Sequence, residues 1–168
     1  MILFHASYKI FEVGQTYVAD KETPYFLEKR SQGMDWVDLL LNEYKPDKAP
    51  IRQQTFFACD KVENCYAYIS SRRQVVGMPI YYKVEMENPA KGVMCLTDIF
   101  PKFEKQNPSL RTYAEEYWSP TLEWKYYEYL SNQMKIIEIL NEPDIIMKSV
   151  GNNNYMMDQE LRKEVFGI

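Results

Sequence analysis

Residues 80–87, IYYKVEME, alternate without a break: Ile80, Tyr82, Val84 and Met86 fall on one side of an extended chain, Tyr81, Lys83, Glu85 and Glu87 on the other. Side chains of a strand point alternately to its two faces, so this stretch reads as a half-buried strand. Other strand signals surround it. ILFHAS at the start reads as a short buried strand, and VGQTYV after it as a loop or edge segment turned at Gly14. RQQTFFACD reads as a strand ending at Asp60, GVMCLTDIF as another or its return, and YEYLSNQMKIIEIL as two short strands joined around Ser131 to Gln133.

Helical patterns lie between these strands. MDWVDLLLNEYKP puts Met34, Val37, Leu41 and Tyr44 on one face, with Asp35 as a cap and Pro46 as the stop. Asp60 and Glu63 have capping-box spacing at the start of KVENCYAYISSRR. Between Pro108 and Trp124 the chain reads as helical in parts, with Ser109 and Ser119 as caps and Pro120 at a first helical position. YMMDQELRKEV reads as a closing helix. Strands and helices mix without a βαβ rhythm, which predicts an α+β fold. A chain of 168 residues with 46% hydrophobic and 15% aromatic content is the size of one domain, here residues 1–168.

Several chemistries lack the residues they need. The net charge of −4 argues against general binding to phosphate backbones, which makes nucleic acid an unfavoured partner. Apolar runs fall short of the roughly 20 residues that span a bilayer, and no basic-then-apolar leader opens the chain, so a soluble, cytoplasmic protein with no membrane partner is expected. The three cysteines, Cys59, Cys65 and Cys95, form no CxxC pair and read as buried small hydrophobes. The six glycines form neither GxGxxG nor a P-loop, and the single histidine, His5, comes without a GxSxG elbow. No metal site is expected. A chain poor in Ala and Gly and rich in Lys, Asn, Ile and Tyr suggests an AT-rich phage or bacterial genome.

The remaining constellation is one of order. His5 lies in FHAS on the first strand, an aromatic pair lies in TFFACD ahead of the helical ENCYAY, and Glu128 opens EYLSNQMKIIEIL late in the chain. This order resembles the ADP-ribosyltransferase-like fold of the His-Tyr-Glu class, to which the poly(ADP-ribose) polymerases and the small rifampin-modifying transferases belong. The resemblance covers roughly residues 2 to 140 and consists of three short motifs. It implies split, mostly antiparallel sheets with flanking helices, and NAD as co-substrate. It also implies transfer of ADP-ribose to a protein or small-molecule acceptor with release of nicotinamide.

Carried over by position, the resemblance gives Glu128 as the catalytic carboxylate. His5 holds a ribose hydroxyl, and Ala6 and Ser7 meet the nicotinamide end. Phe56 or Phe57 stands where the family has tyrosine, and the helix aromatic is Tyr66 or Tyr68. The chemistry asks for these types. Cleaving the nicotinamide–ribose bond builds positive charge on the ribose carbon, a fixed carboxylate stabilises it, and aromatic faces hold the flat ring.

Each residue also has a plainer reading. A histidine on a buried strand most often bonds a backbone carbonyl. Single aromatics among 14 tyrosines and 8 phenylalanines are expected to be core, and a strand glutamate to be a solvated edge residue. Glu123 and Glu138 compete with Glu128, Arg52 reads as half of a surface ion pair, and SSRR with Lys61 as a modest basic patch at a helix end. The missing tyrosine motivates an alternative, an inactive module of the same fold that occludes a partner through exposed Trp118, Trp124, Tyr126 and Tyr127. A third reading, reaction at an RNA 2′-phosphate, calls for several clustered arginines.

Overall fold

A computed structural model describes residues 1–70 and 78–141. The expected closing helix and the SSRR patch beyond Ser70 lie outside the described residues.

The fold is α+β, with two antiparallel sheets. β1 (Ile2–Ser7), β4 (Ile80–Glu85), β7 (Gln133–Leu140) and β2 (Thr16–Val18) form the first, in the order β1-β4-β7-β2. β3 (Phe56–Ala58), β6 (Tyr127–Ser131) and β5 (Ala90–Val93) form the second, in the order β3-β6-β5. The alternation of residues 80–87 resolves as expected on one face: Tyr82, Val84 and Met86 join Leu3, Met134 and Ile136 in a core closed by Phe56 and Ala58 of the second sheet. Tyr81, on the other face, is buried as well. The helix α3 (Val62–Ser70) packs there, and Tyr66 and Tyr68 reach the same cluster as Tyr81.

YEYLSNQMKIIEIL forms two strands, as its pattern predicts, but they belong to different sheets. β6 pairs with β3 and β5, whereas β7, beginning after Asn132, pairs with β4 and β2. The crossing is fixed by the Ala19 N–H on the Asn132 carbonyl at 2.8 Å and by the Gln133 N–H on Ser131 Oγ at 3.1 Å. A second link joins the sheets elsewhere. Phe4 and Cys59 exchange both backbone hydrogen bonds at 2.8 Å, which brings the end of β3 against β1.

The far face of the second sheet carries the largest core. Val37 and Leu41 of α2 (Trp36–Glu43), with Leu110, Ala114, Tyr117 and Trp118 of α4 (Ser109–Trp118), pack there against Val93 and Leu130. Four details differ from expectation. GVMCLTDIF is strand only to Val93 and then turns into a short 3-10 helix, in which Met94, Cys95 and Leu96 are all buried. No helix starts at Pro120: Ser119 ends α4, and the Glu116 carboxylate takes the backbone N–H groups of Thr121 and Leu122 and the indole N–H of Trp124. At the front of α4, Asn107 Oδ1 rather than Ser109 caps, accepting the Ser109 N–H at 2.9 Å. Asp60 takes the Asn64 side-chain amide at 3.0 Å, and no capping-box bond joins it to Glu63 among the described residues.

A helix absent from the sequence reading, α1 (Pro24–Ser31), precedes α2. Pro24 suits its first position, where no backbone N–H is needed, and Lys29 and Arg30 in its last turn suit the negative end of the helix dipole. Among the described residues no helix is long and apolar enough to cross a membrane.

Candidate functional site

The Phe4–Cys59 link places His5 directly over β3. Its Nδ1 lies 2.7 Å from the Phe57 carbonyl, an acceptor only, so Nδ1 carries the proton. Burial lowers the imidazole below its ordinary 6.5, outweighing that backbone bond, which works the other way. The ring is therefore neutral near pH 7, with Nε2 as an acceptor. The plain reading of His5 is thus met.

His5 also lines a cavity of about 390 Å³, a size typical of small-ligand sites. Ala6 and Ser7 continue the wall along β1, Phe56 and Phe57 come from β3, Tyr68 from α3, and Glu128 from the middle strand β6. Tyr66 does not line it. One helical residue separates Tyr66 from Tyr68, which turns Tyr66 towards Tyr81, with ring centroids 6.3 Å apart.

The opposite wall belongs to α1. Tyr25 sets its ring edge-on to Phe57 at 5.4 Å and accepts the Tyr68 hydroxyl at 3.1 Å, while Thr23, Pro24 and Glu28 continue the lining. Sequence reasoning missed this wall, although Thr-Pro at its start and Gly33, with φ +67, just past its end are helix-boundary signals. Thr23 adds a chemical clue. Its Oγ1 is the one buried side-chain oxygen or nitrogen without a hydrogen-bond partner among the described residues, and Thr23 is one of the residues around the cavity. Polar atoms left so are uncommon and suit a ligand group.

Glu128 is 5% exposed, not a solvated edge residue. Arg52, expected in a surface pair, is 1% exposed, and its Nη1 donates to Glu128 Oε1 at 2.7 Å. Arg52 Nε donates to Asp38 Oδ1 at 2.6 Å, and the Tyr117 hydroxyl also donates to Glu128 Oε1. Burial works against charge on Arg52, but Tyr117, Glu128 and Asp38 outweigh it and raise its guanidinium well above the ordinary range. Burial likewise pushes Asp38 upward, yet Arg52 and Lys29 hold its carboxyl below the ordinary 3.8.

Cys59 and Cys65 sit in the same wall as free, buried thiols. The hydrogen bond between them and their burial raise Cys59 well above the usual thiol range, and Cys65 Sγ lies 3.0 Å from the Phe4 carbonyl. Cys59 is therefore not poised as a nucleophile. Among the described lining residues Lys9 is the one cation, so the arginine cluster that an RNA 2′-phosphate calls for is not present there. Trp118, Trp124 and Tyr126 are buried and Tyr127 is half-buried, so they do not form the exposed patch on which the occluding-module alternative rests.

No protein-family model matches the chain, and no curated protein matches it in sequence.

Proposed function

We propose that the chain is an NAD-dependent ADP-ribosyltransferase that moves ADP-ribose to a protein or small-molecule acceptor and releases nicotinamide. The observation that carries this reading is that His5 and Glu128, separated by most of the chain, line one cavity together with Phe56, Phe57 and Tyr68. A shared cleft is what the order of the three motifs requires.

The lining suits the nicotinamide–ribose end of NAD. Phe57, Tyr25 and Tyr68 offer aromatic faces and edges to a flat ring, and Tyr25 brings to this wall a hydroxyl that the phenylalanines lack. His5 Nε2 accepts a ribose hydroxyl, its tautomer fixed from behind by the Phe57 carbonyl. Glu128 faces the same space with a negative charge, and NAD when bound supplies a ribose carbon that becomes electron-poor as nicotinamide leaves. A preorganised group in such a site typically contributes 10²–10³ in turnover.

The test is nicotinamide release from NAD by the purified protein and by Glu128→Gln, with labelled NAD added in parallel to a cell lysate. Release at least 100-fold slower in the variant supports the reading, and label on an acceptor separates transfer from hydrolysis. Absence of release by the native chain, or equal rates for both proteins, contradicts it.

A further inference from the structure

The Glu128 carboxylate is held by residues of two other segments, one of which is braced by a third. Arg52 comes from the 3-10 turn Arg52–Gln54, Asp38 from α2 and Tyr117 from α4. Arg52 Nη1 donates both to Tyr117 Oη and to Glu128 Oε1, and the Tyr117 hydroxyl donates to that same Oε1. Oε1 therefore carries two bonds. Oε2 carries none among the described residues, and Glu128 is one of the residues that line the cavity.

The rest of the cluster fixes Arg52 in turn. Asp38 Oδ1 takes Nε at 2.6 Å, Asp38 Oδ2 takes Lys29 Nζ at 3.1 Å, and the guanidinium lies over the Phe57 ring at 4.8 Å. A planar guanidinium gripped along two edges has little freedom to rotate, and neither does a carboxylate oxygen pinned by it. Asp38 also offsets the positive charge of Arg52, so the pairing does not cancel the negative charge that Glu128 presents to the cavity. Space is reserved for this arrangement. Gly92 is the β5 partner of Glu128, and a Cβ there would overlap the Tyr117 ring and hydroxyl.

We infer that Arg52 is the positioning residue of Glu128, with Tyr117 as second anchor and Asp38 as counter-charge, so that Oε2 alone meets the substrate and takes a single hydroxyl of it. The inference rests on the transferase reading above. It assigns the buried cluster a catalytic consequence beyond holding the fold.

Arg52→Lys keeps the charge without the fork, and Tyr117→Phe keeps the ring without the hydroxyl. The expected result in both is a fall in kcat for nicotinamide release of roughly 10- to 100-fold with KM unchanged, and displacement of the Glu128 carboxylate by about 1 Å in crystal structures of the variants. Tyr117→Phe should do this while remaining folded at assay temperature. Native kcat in both variants, or loss of activity that only tracks the folded fraction with the carboxylate unmoved, overturns the inference. Should the native chain release no nicotinamide, the transferase reading fails by itself, and the crystal structures still decide the positioning: an unmoved carboxylate overturns it, and a displaced one upholds it.

Discussion

Arg52 and Glu128 lie 76 residues apart in the chain and meet at 2.7 Å with side chains 1% and 6% exposed. Desolvating two charges costs several kcal/mol each, so such a pair is poor evidence of net stability. Its presence beside a ligand-sized cavity is better explained by what it does to the carboxylate.

Removing Arg52 altogether leaves Asp38 and Glu128 as buried carboxylates without their shared cation, although Lys29 still reaches Asp38. Arg52→Ala is expected to lower unfolding stability by about 3–5 kcal/mol. Urea or guanidinium titration measures this directly, and a loss under about 1 kcal/mol is inconsistent with the burial described.

Gly92→Ala drives a methyl group into the Tyr117 ring. Overpacking of this kind costs about 1–3 kcal/mol. The expected signature is twofold: a lower denaturation midpoint, and a fall in kcat larger than the loss of folded protein explains, because Tyr117 can no longer reach Glu128.

Tyr68 and Tyr66 separate binding from packing. Tyr68→Ala removes a cavity wall and should raise KM for NAD by roughly 2- to 10-fold, the worth of one aromatic contact. Tyr66→Ala leaves the cavity lining intact and removes the contact with Tyr81. It should lower stability without changing KM, as steady-state rates and thermal melts on both variants will show.

Thr23→Val replaces the orphan hydroxyl by a methyl group of similar shape. Leaving a buried hydroxyl unpaired is costly, so the variant should be as stable as the native chain or more so. The Kd for NAD should rise nonetheless, because the variant removes the hydroxyl proposed to meet a ligand group. Calorimetric titration with NAD alongside a thermal melt gives both numbers.

The pH dependence follows from His5. Its folded value lies below 6.5, so below about pH 6.5 the unfolded chain binds the extra proton and the folded state is disfavoured. Stability and turnover should both decline as pH falls from about 7 to 5, turnover because protonation removes the Nε2 acceptor. Asp38 acts in a separate, lower window: its depressed value stabilises the fold above 3.8 and that contribution fades as pH falls further. Urea midpoints across this range, for the native chain and His5→Gln, resolve the two, since the variant should lose only the upper dependence.

What was legible in the sequence was local. The alternation at Ile80–Met86, the Val37–Leu41 spacing and the strand pair on either side of Asn132 are short-range patterns, and each corresponds to an observed element. The assignment of β6 and β7 to different sheets was not legible, because pairing partners are set by contacts with β3 and β4 far away in sequence. α1 escaped because PYFLEKRS buries Phe26 alone and so has almost no apolar stripe, and with it went Tyr25 and Thr23. Arg52 was misread for a related reason. Its partners Asp38, Tyr117 and Glu128 lie 14, 65 and 76 residues away, and no spacing rule reaches across such distances.

The account turns on one cavity serving as the nicotinamide–ribose site, and a crystal structure of Glu128→Gln grown with NAD tests that most directly. The predicted result is the nicotinamide ring against Phe57, Tyr25 and Tyr68, with a ribose hydroxyl within hydrogen-bond distance of His5 Nε2 and another at the side chain of residue 128. NAD bound elsewhere on the chain, or no binding at concentrations that saturate ordinary NAD enzymes, contradicts the account.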